Sequence, residues 1–325
     1  MDAVLVIDKP VGPTSFDVVR RLRRAARTKR VGHGGTLDPA ASGVLPICLG
    51  EATKLAQFLL DADKQYDFTV CFGVETDTDD AAGTVTARHD ASGVNEAAVR
   101  AALAAFRGAI TQVPPSYSAL KRAGRPLYDY ARAGEPVEAA PRAVVVHELE
   151  LTSFAGAAST AFTMRCSKGT YVRALARDLG RALGVGAHVT ALRRTRSGPF
   201  SLTEARPLDE VLALLADPGA DRAALPLVDL PSALRHLEQR VVSETVARDV
   251  RMGRRIEMGS LEGFPSPPAM SSGGRSPPAL DAKTLEPGED ASDRRICLVD
   301  GGGKLVAVTR PRQDQTLELI RVFGA

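Results

Sequence analysis

A single acidic residue, Asp38, lies in a glycine-rich stretch that could present it to a substrate. The stretch reads GHGGTLDPAASGVLPICLGEATK, runs from Gly32 to Lys54, and carries His33 close to the acid. A carboxylate acts as a covalent nucleophile when its surroundings keep it ionised and hold it in place. The alternative is ordinary turn chemistry, in which Asp38 and Pro39 only shape the chain. On this stretch alone, the turn is the simpler interpretation.

A nucleophilic carboxylate needs a cationic partner, and the sequence offers two. An opposite charge within a few ångströms favours the ionised form, and arginine is the usual partner. Arg173 and Arg177 both lie in GTYVRALARDLGRALG (169–184), which reads as a helix ending at Gly184. The sequence alone does not choose between them.

The glycine-rich stretch matches none of the common phosphate-binding or hydrolase motifs. It lacks the G-x-x-x-x-G-K-[ST], G-x-G-x-x-G and G-x-S-x-G patterns. The acids of ETDTDDAAGTVT (75–86) resemble a calcium loop only superficially, because Ala81 and Ala82 replace a ligand and a glycine. No metal-ligand spacing relates the five histidines, His33, His89, His147, His188 and His236. We therefore predict no metal and no cofactor, and no hydride-transfer, phosphoryl-transfer or serine-hydrolase chemistry.

A dense basic segment precedes this stretch. Apolar residues at three- and four-residue spacing predict an amphipathic helix over 15–27, which Thr14 or Ser15 can cap. Its outer face is basic, which indicates either a solvated surface or a phosphate-binding surface. So many like charges on one helix repel one another unless an anion neutralises them, which is the argument for phosphate, whereas a solvated face is the commoner interpretation of a charge run. The basic residues are Arg20, Arg21, Arg23, Arg24, Arg27, Lys29 and Arg30, and the apolar ones are Phe16, Val19, Leu22 and Ala26.

The elements that must position these residues form an α+β pattern, without regular βαβ alternation. Residues 113–121 are predicted to be extended, because prolines exclude a helix there. A turn between strands is expected at 75–86, and Asn95 is expected to cap a helix. Strands are predicted at 3–8, 43–49, 64–74, 142–154, 160–167 and 188–200, and further helices at 51–60 and 95–108.

The C-terminal part of the chain has a different composition. Residues 259–292 are rich in Ser, Pro and Gly and read as a flexible insertion, because such a composition buries too little apolar surface to order itself. Strand patterns flank it at 241–258 and 294–324, with a glycine turn in the hairpin at 296–308. We expect a small β unit that is interrupted by this insertion.

The bulk properties are those of an intracellular globular protein. The 325 residues, 44% of them hydrophobic, suffice for one large domain or for one large and one small domain. The N-terminus reads as a first strand, and no apolar run approaches the roughly 20 residues of a membrane helix. The four cysteines have no C-x-x-C pair and fit buried thiols in a reducing compartment: Cys48, Cys71, Cys166 and Cys297. We expect a cytoplasmic protein that does not associate with membranes.

Several ordered blocks together resemble the bacterial tRNA pseudouridine-55 synthase family, TruB. They are DKPVGPTSFDVVRRL (8–22), the glycine-rich stretch, DADKQYDFTVCFGVETDTDDAAG (61–83), QVPPSYSALK (112–121) and SKGTYVRALARDLG (167–180). The resemblance covers roughly residues 3–230 and is specific, because the blocks occur in the family's order. The family often has threonine at the position of Gly34, so two adjacent glycines could loosen this loop.

The resemblance implies an isomerase that converts uridine to pseudouridine at position 55 in the T loop of tRNA. Asp38 would attack the nucleotide covalently or drive glycosidic cleavage from the sugar side. Tyr66 would stack on the base and take the proton from carbon 5, and Arg173 would pair with the acid. Each has a plainer structural alternative, such as core packing for Tyr66. The substrate-binding residues implied by the resemblance or by the basic face are Lys9, His33, Tyr171, Leu192, Arg20, Arg23, Arg24, Arg27 and Arg30.

The resemblance also implies two domains. Residues 1–235 would form a pseudouridine synthase core, with a mixed, largely antiparallel sheet and flanking helices. Residues 236–325 would form a small PUA-like RNA-binding domain that contains the insertion. The expected partner is the T-arm stem-loop of tRNA, with no protein partner required and a monomeric enzyme.

Two other functions fit the same sequence. One is a protein that binds the tRNA elbow without catalysis. The other is a related synthase that acts on a different RNA uridine. The presence of Asp38, Tyr66 and Arg173 favours the enzyme, because an inactive relative would be expected to lose the acid.

Overall fold

The computed structural model describes residues 1–135, 137, 139–217, 219–261 and 294–324. The chain divides into two compact units, one of Met1 and Leu5–Leu227 and the other of Asp2–Val4 and Val228–Ala325. The strands are β1 (Ala3–Lys9), β2 (Val31–His33), β3 (Ala41–Leu49), β4 (Lys64–Phe72), β5 (Val74–Thr76), β6 (Val85–Arg88), β7 (Gly108–Gln112), β8 (Lys121–Arg122), β9 (Arg125–Pro126), β10 (Arg142–Phe154), β11 (Thr160–Cys166), β12 (Ala187–Ser197), β13 (Phe200–Ser201), β14 (Arg206–Pro207), β15 (Leu227–Val228), β16 (Glu238–Val242), β17 (Ile256–Glu257), β18 (Ile296–Asp300), β19 (Leu305–Pro311) and β20 (Thr316–Val322).

The α-helices of the described residues are mostly short. They are α1 (Ser15–Ala25), α2 (Ala56–Asp61), α3 (Glu96–Ala102), α4 (Leu127–Arg132), α5 (Val172–Ala182), α6 (Leu208–Ala216), α7 (Leu230–Ala233) and α8 (Glu244–Arg251). Short 3₁₀ turns lie at Gly50–Leu55, Leu103–Phe106, Leu202–Glu204, Arg222–Ala224 and Met258–Ser260. A helix with the length and apolar character needed to cross a membrane is not found among them.

The main sheet is mixed, and most of its neighbouring strands are antiparallel. Its central order is β14-β1-β3-β12-β4-β11-β10-β7, with β2 beside β3 and β13 beside β12. Parallel pairing occurs between β1 and β14 and between β12 and β3. In this arrangement β4 lies between β12 and β11 and is antiparallel to both. The structure thus has the mixed, largely antiparallel sheet that was expected.

Two hydrophobic clusters hold helices against this sheet. In the first, Leu175 and Leu179 of α5 pack with Phe68 and Phe162 of the central strands, whose rings stack with centroids 5.3 Å apart. In the second, α1 and α6 pack on β1 and β3, with Leu22 among the fully buried side chains. Removing this apolar surface from water stabilises the unit by about 25 cal/mol per Å².

Helix α1 ends earlier than its apolar spacing predicted. Thr14, rather than Ser15, is the cap, and it forms a capping box with Asp17. The helix stops at Ala25, because Arg27 adopts a positive φ of 51°. Phe16 was expected on the buried face but is 58% exposed. The buried stripe instead runs through Ser15, Val18, Val19 and Leu22.

Most other elements occur where they were predicted, with shorter bounds. The strand predicted at 64–74 ends at Phe72, because Gly73 takes a φ of 87° and starts a new direction. Asn95 caps α3 as expected, but the helix tightens into a 3₁₀ turn after Ala102. The predicted helix at 51–60 begins as a 3₁₀ turn, and the helix predicted at 169–184 is α5, which begins at Val172.

The second unit contains a five-stranded sheet in the order β16-β18-β19-β20-β17. The strand pattern expected over 241–258 is wrong in its middle, where α8 lies. Ser243 caps this helix, and its buried residues Ala247 and Val250 follow helical spacing. The flexible insertion predicted at 259–292 lies outside the described residues, apart from its first three.

The four cysteines are free thiols, and three of them are buried. Burial raises the pKa of Cys48, Cys166 and Cys297 to about 12, so these thiols are protonated and unreactive at neutral pH. Cys71 was also expected to be buried but is only partly covered.

Candidate active site

The loop that carries Asp38 joins β2 to β3 and is held on both sides. Leu37 exchanges two hydrogen bonds with the buried Ser15 hydroxyl, at 2.8 and 3.0 Å. The Pro39 carbonyl accepts from the amide of Gly12 at 2.8 Å. Because its neighbours on both sides are fixed, the acid is presented by an ordered backbone, not by the loose loop that its glycines indicated.

The surroundings of Gly34 explain why this chain carries no side chain at that position. Its amide donates to the Pro46 carbonyl at 2.8 Å, so the residue is held in place. A Cβ atom at Gly34 would lie only 2.7 Å from the Cβ of Leu59. Leu59 therefore occupies the space that a side chain at position 34 would need.

This packing predicts that Gly34→Ala destabilises the protein. We expect a loss of about 1–3 kcal/mol in the free energy of unfolding, because the added methyl group overpacks against Leu59. Gly32→Ala is the matched control, since a Cβ there meets no heavy atom within 4 Å. Urea unfolding measures both variants, and equal midpoints for the two would contradict this explanation of the glycine.

Arg173 is the partner of Asp38, which settles the choice that the sequence left open. Its Nε donates to Asp38 Oδ2 at 2.9 Å, and its Nη2 lies 2.7 Å from the same oxygen. The guanidinium is 5% exposed and the carboxylate 35% exposed. Among the described residues, nothing donates a hydrogen bond to Oδ1, so one carboxylate oxygen is engaged and the other is available.

The guanidinium of Arg173 also donates hydrogen bonds to two backbone carbonyls. Nη1 donates to the Thr78 carbonyl at 2.8 Å, and Nη2 donates to the Tyr117 carbonyl at 3.0 Å. The carboxylate of Asp80 lies 3.7 Å from Nε. These contacts fix the guanidinium plane and so fix the direction from which it meets Asp38. The sequence interpretation missed Asp80 because it treated the acids of 75–86 as a turn.

Arg177, the other candidate, lies one turn further along α5 and has different partners. It pairs with Asp79 at 3.1 Å and with Asp178 at 2.9 Å. It also donates to the Val113 carbonyl at 2.8 Å. It thus ties α5 to the segment after β7 and is not in contact with Asp38.

Tyr66 lies on the central strand β4 and faces Arg194 of β12 across the ladder. It packs against both hydrophobic clusters, which places it where the two halves of the core meet. Burial raises the pKa of Tyr66, while the charge of Arg194 and a side-chain hydrogen bond from it oppose that rise. The phenol is therefore neutral at physiological pH.

A small pocket opens beside the Asp38–Arg173 pair. Leu192 of β12 contributes to its wall and, like Tyr66, packs against both hydrophobic clusters. The wall is otherwise made mainly of small or apolar side chains. The lining residues are Asp38, Ala40, Ala41, Asp80, Ala81, Arg173, Val189, Thr190, Ala191 and Leu192.

Tyr171 lies next to this pair at the N-terminal cap of α5. Its amide donates to the Gln112 side chain at 3.0 Å, and that side chain donates back to the Tyr171 carbonyl at 3.3 Å. Burial raises the pKa of the Tyr171 phenol, and the Asp38 carboxylate lies close enough to add to that rise.

Lys9 is fully buried at the end of β1. Its ammonium donates to the carbonyls of Pro10 at 2.8 Å and Pro13 at 2.9 Å. Burial lowers the pKa of Lys9 to about 8, although the nearby Asp38 charge works in the opposite direction. Lys9 therefore shapes the turn that leads to Gly12, which in turn bonds the loop of Asp38.

His33 closes the short strand β2 and pairs with Ile47 of β3. Burial lowers the pKa of His33, and the charge of Arg194 lowers it further, so the ring is neutral at physiological pH. Its Nδ1 is buried, and no described residue bonds to it. This unpaired nitrogen argues against a histidine that only bonds the backbone of its own loop.

The basic residues of 20–30 do not form one helical face. Arg20 pairs with Asp17 at 2.7 Å, and Arg23 donates to the Val31 carbonyl at 2.8 Å. Arg24 is exposed on α1, whereas Arg27 and Arg30 follow the helix and are exposed on the turn before β2. Arg30 forms an ion pair with Glu51. The predicted basic surface is therefore made of a helix and the turn after it.

The acids that resemble a calcium loop are engaged by protein groups. Asp77 accepts from the Thr84 amide, and Asp80 accepts from Thr78 and the Ala82 amide. Asp79 pairs with Arg177. In the part of the chain that the structure describes, His, Cys, Asp and Glu form no cluster of three that could hold a metal ion.

Comparison with solved structures defines the class of this fold. A chain in the crystal structure of a Cbf5–Nop10–Gar1 complex matches 99% of this chain, with 85% of its own length covered, a TM-score of 0.73 and 25% identity. A chain in the archaeal box H/ACA sRNP Nop10–Cbf5 complex matches 99% of this chain and 86% of its own, with a TM-score of 0.69 and 23% identity. The fold is that of the pseudouridine synthases, which confirms the predicted α+β fold class.

Sequence comparison then identifies the family. The profile of the TruB family pseudouridylate synthase N-terminal domain matches residues 23–172, and that of the tRNA pseudouridylate synthase B C-terminal domain matches residues 173–239. The tRNA pseudouridine synthase B of Burkholderia mallei (strain NCTC 10247) is 50% identical over 271 residues, which cover 79% of this chain and 89% of that protein. The protein of the same name from Bordetella avium (strain 197N) is 50% identical over 236 residues, which cover 72% of this chain and 95% of that protein. The chain belongs to the TruB family of pseudouridine synthases, as its ordered sequence blocks indicated.

Proposed function

We propose that this protein converts uridine to pseudouridine at position 55 in the T loop of tRNA. The observation that carries the proposal is the geometry of the Asp38–Arg173 pair, in which one carboxylate oxygen is held by the guanidinium and the other is available. The relatives named tRNA pseudouridine synthase B support the choice of substrate.

The reaction is a rearrangement that needs a positioned nucleophile. The bond between C1′ of the ribose and N1 of uracil breaks, a bond between C1′ and C5 forms, C5 loses a proton, and N1 gains one. Asp38 attacks the nucleotide covalently or drives the cleavage from the sugar side, and both routes need an ionised carboxylate. Arg173 holds that carboxylate in place through a charge-assisted hydrogen bond to Oδ2.

The walls of the pocket suit a flat, uncharged ring. Leu192 lines this pocket, whereas Tyr66 and Tyr171 are not among its lining residues but lie within electrostatic range of Asp38. With uracil bound, Tyr66 stacks on the base, and Leu192 and Tyr171 enclose it. Burial raises the pKa of Tyr66, which disfavours a free phenolate. A neutral phenol that accepts the C5 proton must release its own, and N1 of the uracil, which gains a proton in the reaction, is the group that takes it up.

The target base must leave its RNA stack to reach this pocket. Base flipping costs a few kcal/mol and is cheapest in a loop whose bases lack full pairing, such as the T loop. His33 fills the place that the base vacates, which a neutral ring can do by stacking. Lys9 supports this edge of the site through its bonds to the turn at 10–13.

Phosphate contacts come from the basic surface of α1 and the following turn. Arg20, Arg23, Arg24, Arg27 and Arg30 are all exposed. Guanidinium groups recognise phosphate by charge and by paired hydrogen bonds, and this term positions RNA without reading its sequence. The surface immediately precedes β2 and the loop of Asp38, so bound RNA would lie beside the site.

The second unit serves as a small PUA-like RNA-binding domain, which is the role predicted for residues 236–325. Its five-stranded sheet has the β character that this role requires. We further propose that the enzyme is a monomer in the cytoplasm and needs no protein partner. Two alternatives are a protein that binds the tRNA elbow without catalysis and a synthase for another uridine.

A tritium-release assay tests the activity directly. An unmodified T-arm transcript labelled at C5 of its uridines is incubated with the protein, because replacement of the C5 proton releases the label. We expect release of one tritium per transcript. Binding without release would support the non-catalytic alternative instead.

A further inference from the structure

Arg194 is a fully buried arginine that the catalytic assignments do not use. It lies on β12, is 1% exposed, and is among the largest fully buried side chains of the protein. Burying a guanidinium is costly unless its donors are satisfied. The position of its acceptors therefore indicates what the residue is for.

The three backbone carbonyls that accept from the Arg194 guanidinium all belong to the chain around Asp38. Nη1 donates to the Thr36 carbonyl at 3.0 Å, and Nη2 donates to the Gly35 carbonyl at 3.2 Å. Nε donates to the Val44 carbonyl at 2.8 Å. The first two acceptors precede the acid and the third follows it, so one guanidinium ties together both ends of the segment that presents Asp38.

The strand geometry brings Arg194 to this position. Its strand runs parallel to β3, with Arg194 opposite Gly43, and antiparallel to β4, with Arg194 opposite Tyr66. A Cβ atom at Gly43 would lie 2.1 Å from the Arg194 carbonyl oxygen, so only glycine allows this approach. Arg194 consequently links the loop of the acid to the strand of the base-stacking residue.

We propose that Arg194 is a positioning residue, which sets the distance and orientation of Asp38 relative to Tyr66 by clamping the loop from Gly35 to Val44. It does not touch Asp38 and acts through the backbone of that loop. The inference rests on the proposed function. Charge-assisted hydrogen bonds to three carbonyls hold a loop more rigidly than neutral bonds would.

The charge of Arg194 also reaches the other groups of the site. Burial lowers the pKa of Lys9 and of His33, and the charge of Arg194 lowers both further. Arg194 thus lies within electrostatic range of three proposed site residues, Lys9, His33 and Tyr66. This central location agrees with a role in site geometry.

The test uses single-turnover kinetics on the labelled T-arm transcript, with increasing enzyme concentration. The variants are Arg194→Lys, which keeps the charge but loses the fork of donors, and Arg194→Gln, which also loses the charge. Matched controls are Arg196→Lys and Arg196→Gln, because Arg196 is exposed on the same strand and, among the described residues, its side chain donates to the Gly198 carbonyl and not to the loop of Asp38. Circular dichroism and thermal unfolding establish that each variant is folded.

We expect the maximum rate constant of Arg194→Lys to fall about 100-fold, since a displacement of about 1 Å in a catalytic group has this effect. The enzyme concentration for half-maximal rate should change less than threefold. Arg194→Gln should be slower still, and the Arg196 controls should stay within twofold of wild type. A purely structural role would reduce the amount of folded enzyme, which raises the half-maximal concentration but leaves the maximum rate constant unchanged.

Three results would overturn the proposal. They are a maximum rate constant within threefold of wild type in folded Arg194→Lys, a change confined to the half-maximal concentration, and failure of both Arg194 variants to fold. Absence of tritium release by the wild type would instead contradict the proposed function, so the two failures are distinguishable.

Discussion

Asp38→Asn is expected to abolish pseudouridine formation, with a loss of at least about 10⁴-fold in the single-turnover rate constant. Asparagine has the same shape, and its oxygen still accepts a hydrogen bond from Arg173 Nε, which now reaches Asp38 at 2.9 Å. An amide oxygen, however, is neither charged nor a useful nucleophile. RNA affinity should change less than threefold, because the phosphate contacts proposed above lie elsewhere.

The matched control for this substitution is Asp209→Asn. Asp209 is 81% exposed and pairs with Arg21 on the surface, so its replacement removes a carboxylate without touching the site. Its rate constant should equal that of wild type. If Asp38→Asn keeps more than a hundredth of the wild-type rate constant, Asp38 is not the nucleophile.

Arg173→Met is expected to impair both catalysis and stability. The substitution removes the partner of Asp38 and leaves the carbonyls of Thr78 and Tyr117 without their donor. Breaking a buried pair in this way costs about 3–5 kcal/mol, and the partial exposure of Asp38 places the expected loss near the lower end. The rate constant should fall about 100-fold or more, because the carboxylate loses its orientation.

A double-substitution cycle measures the coupling free energy between Asp38 and Arg173. The double variant Asp38→Asn/Arg173→Met should lose less free energy of unfolding than the two single variants lose in sum. The reason is that the double variant contains neither charge of the pair, so no charge is left buried without its partner. Arg181→Met on the same helix is the control, since Arg181 is 63% exposed. Additive losses in urea unfolding would show that the two side chains are not energetically coupled.

Residue patterns predicted the sheet and most helices, but they failed where a single residue ends an element. The apolar spacing of α1 continues to Ala26, yet the helix ends at Ala25 because Arg27 adopts a left-handed conformation. The helix α8 was missed because its eight residues are few and strands flank it on both sides. Such short elements depend on their caps and packing more than on periodicity.

The candidate site was predicted in part, and its limits have a physical cause. Local chemistry identified Asp38 as a candidate and left Arg173 and Arg177 equivalent, because both lie on one helix. The family resemblance favoured Arg173, and it is the guanidinium of Arg173 that contacts Asp38 in the structure. Asp80 and Arg194 were missed, because their contacts join distant segments and Arg194 uses backbone acceptors, which have no signature in a sequence.

Site-resolved mapping of pseudouridine in a full-length, unmodified tRNA transcript tests the central claim most directly. The transcript is treated with wild-type protein or with Asp38→Asn, and every uridine is then read for pseudouridine. We predict modification by the wild type at one position, the T-loop uridine 55, and none by the variant. Pseudouridine at another position, in both samples, or in neither would contradict the account.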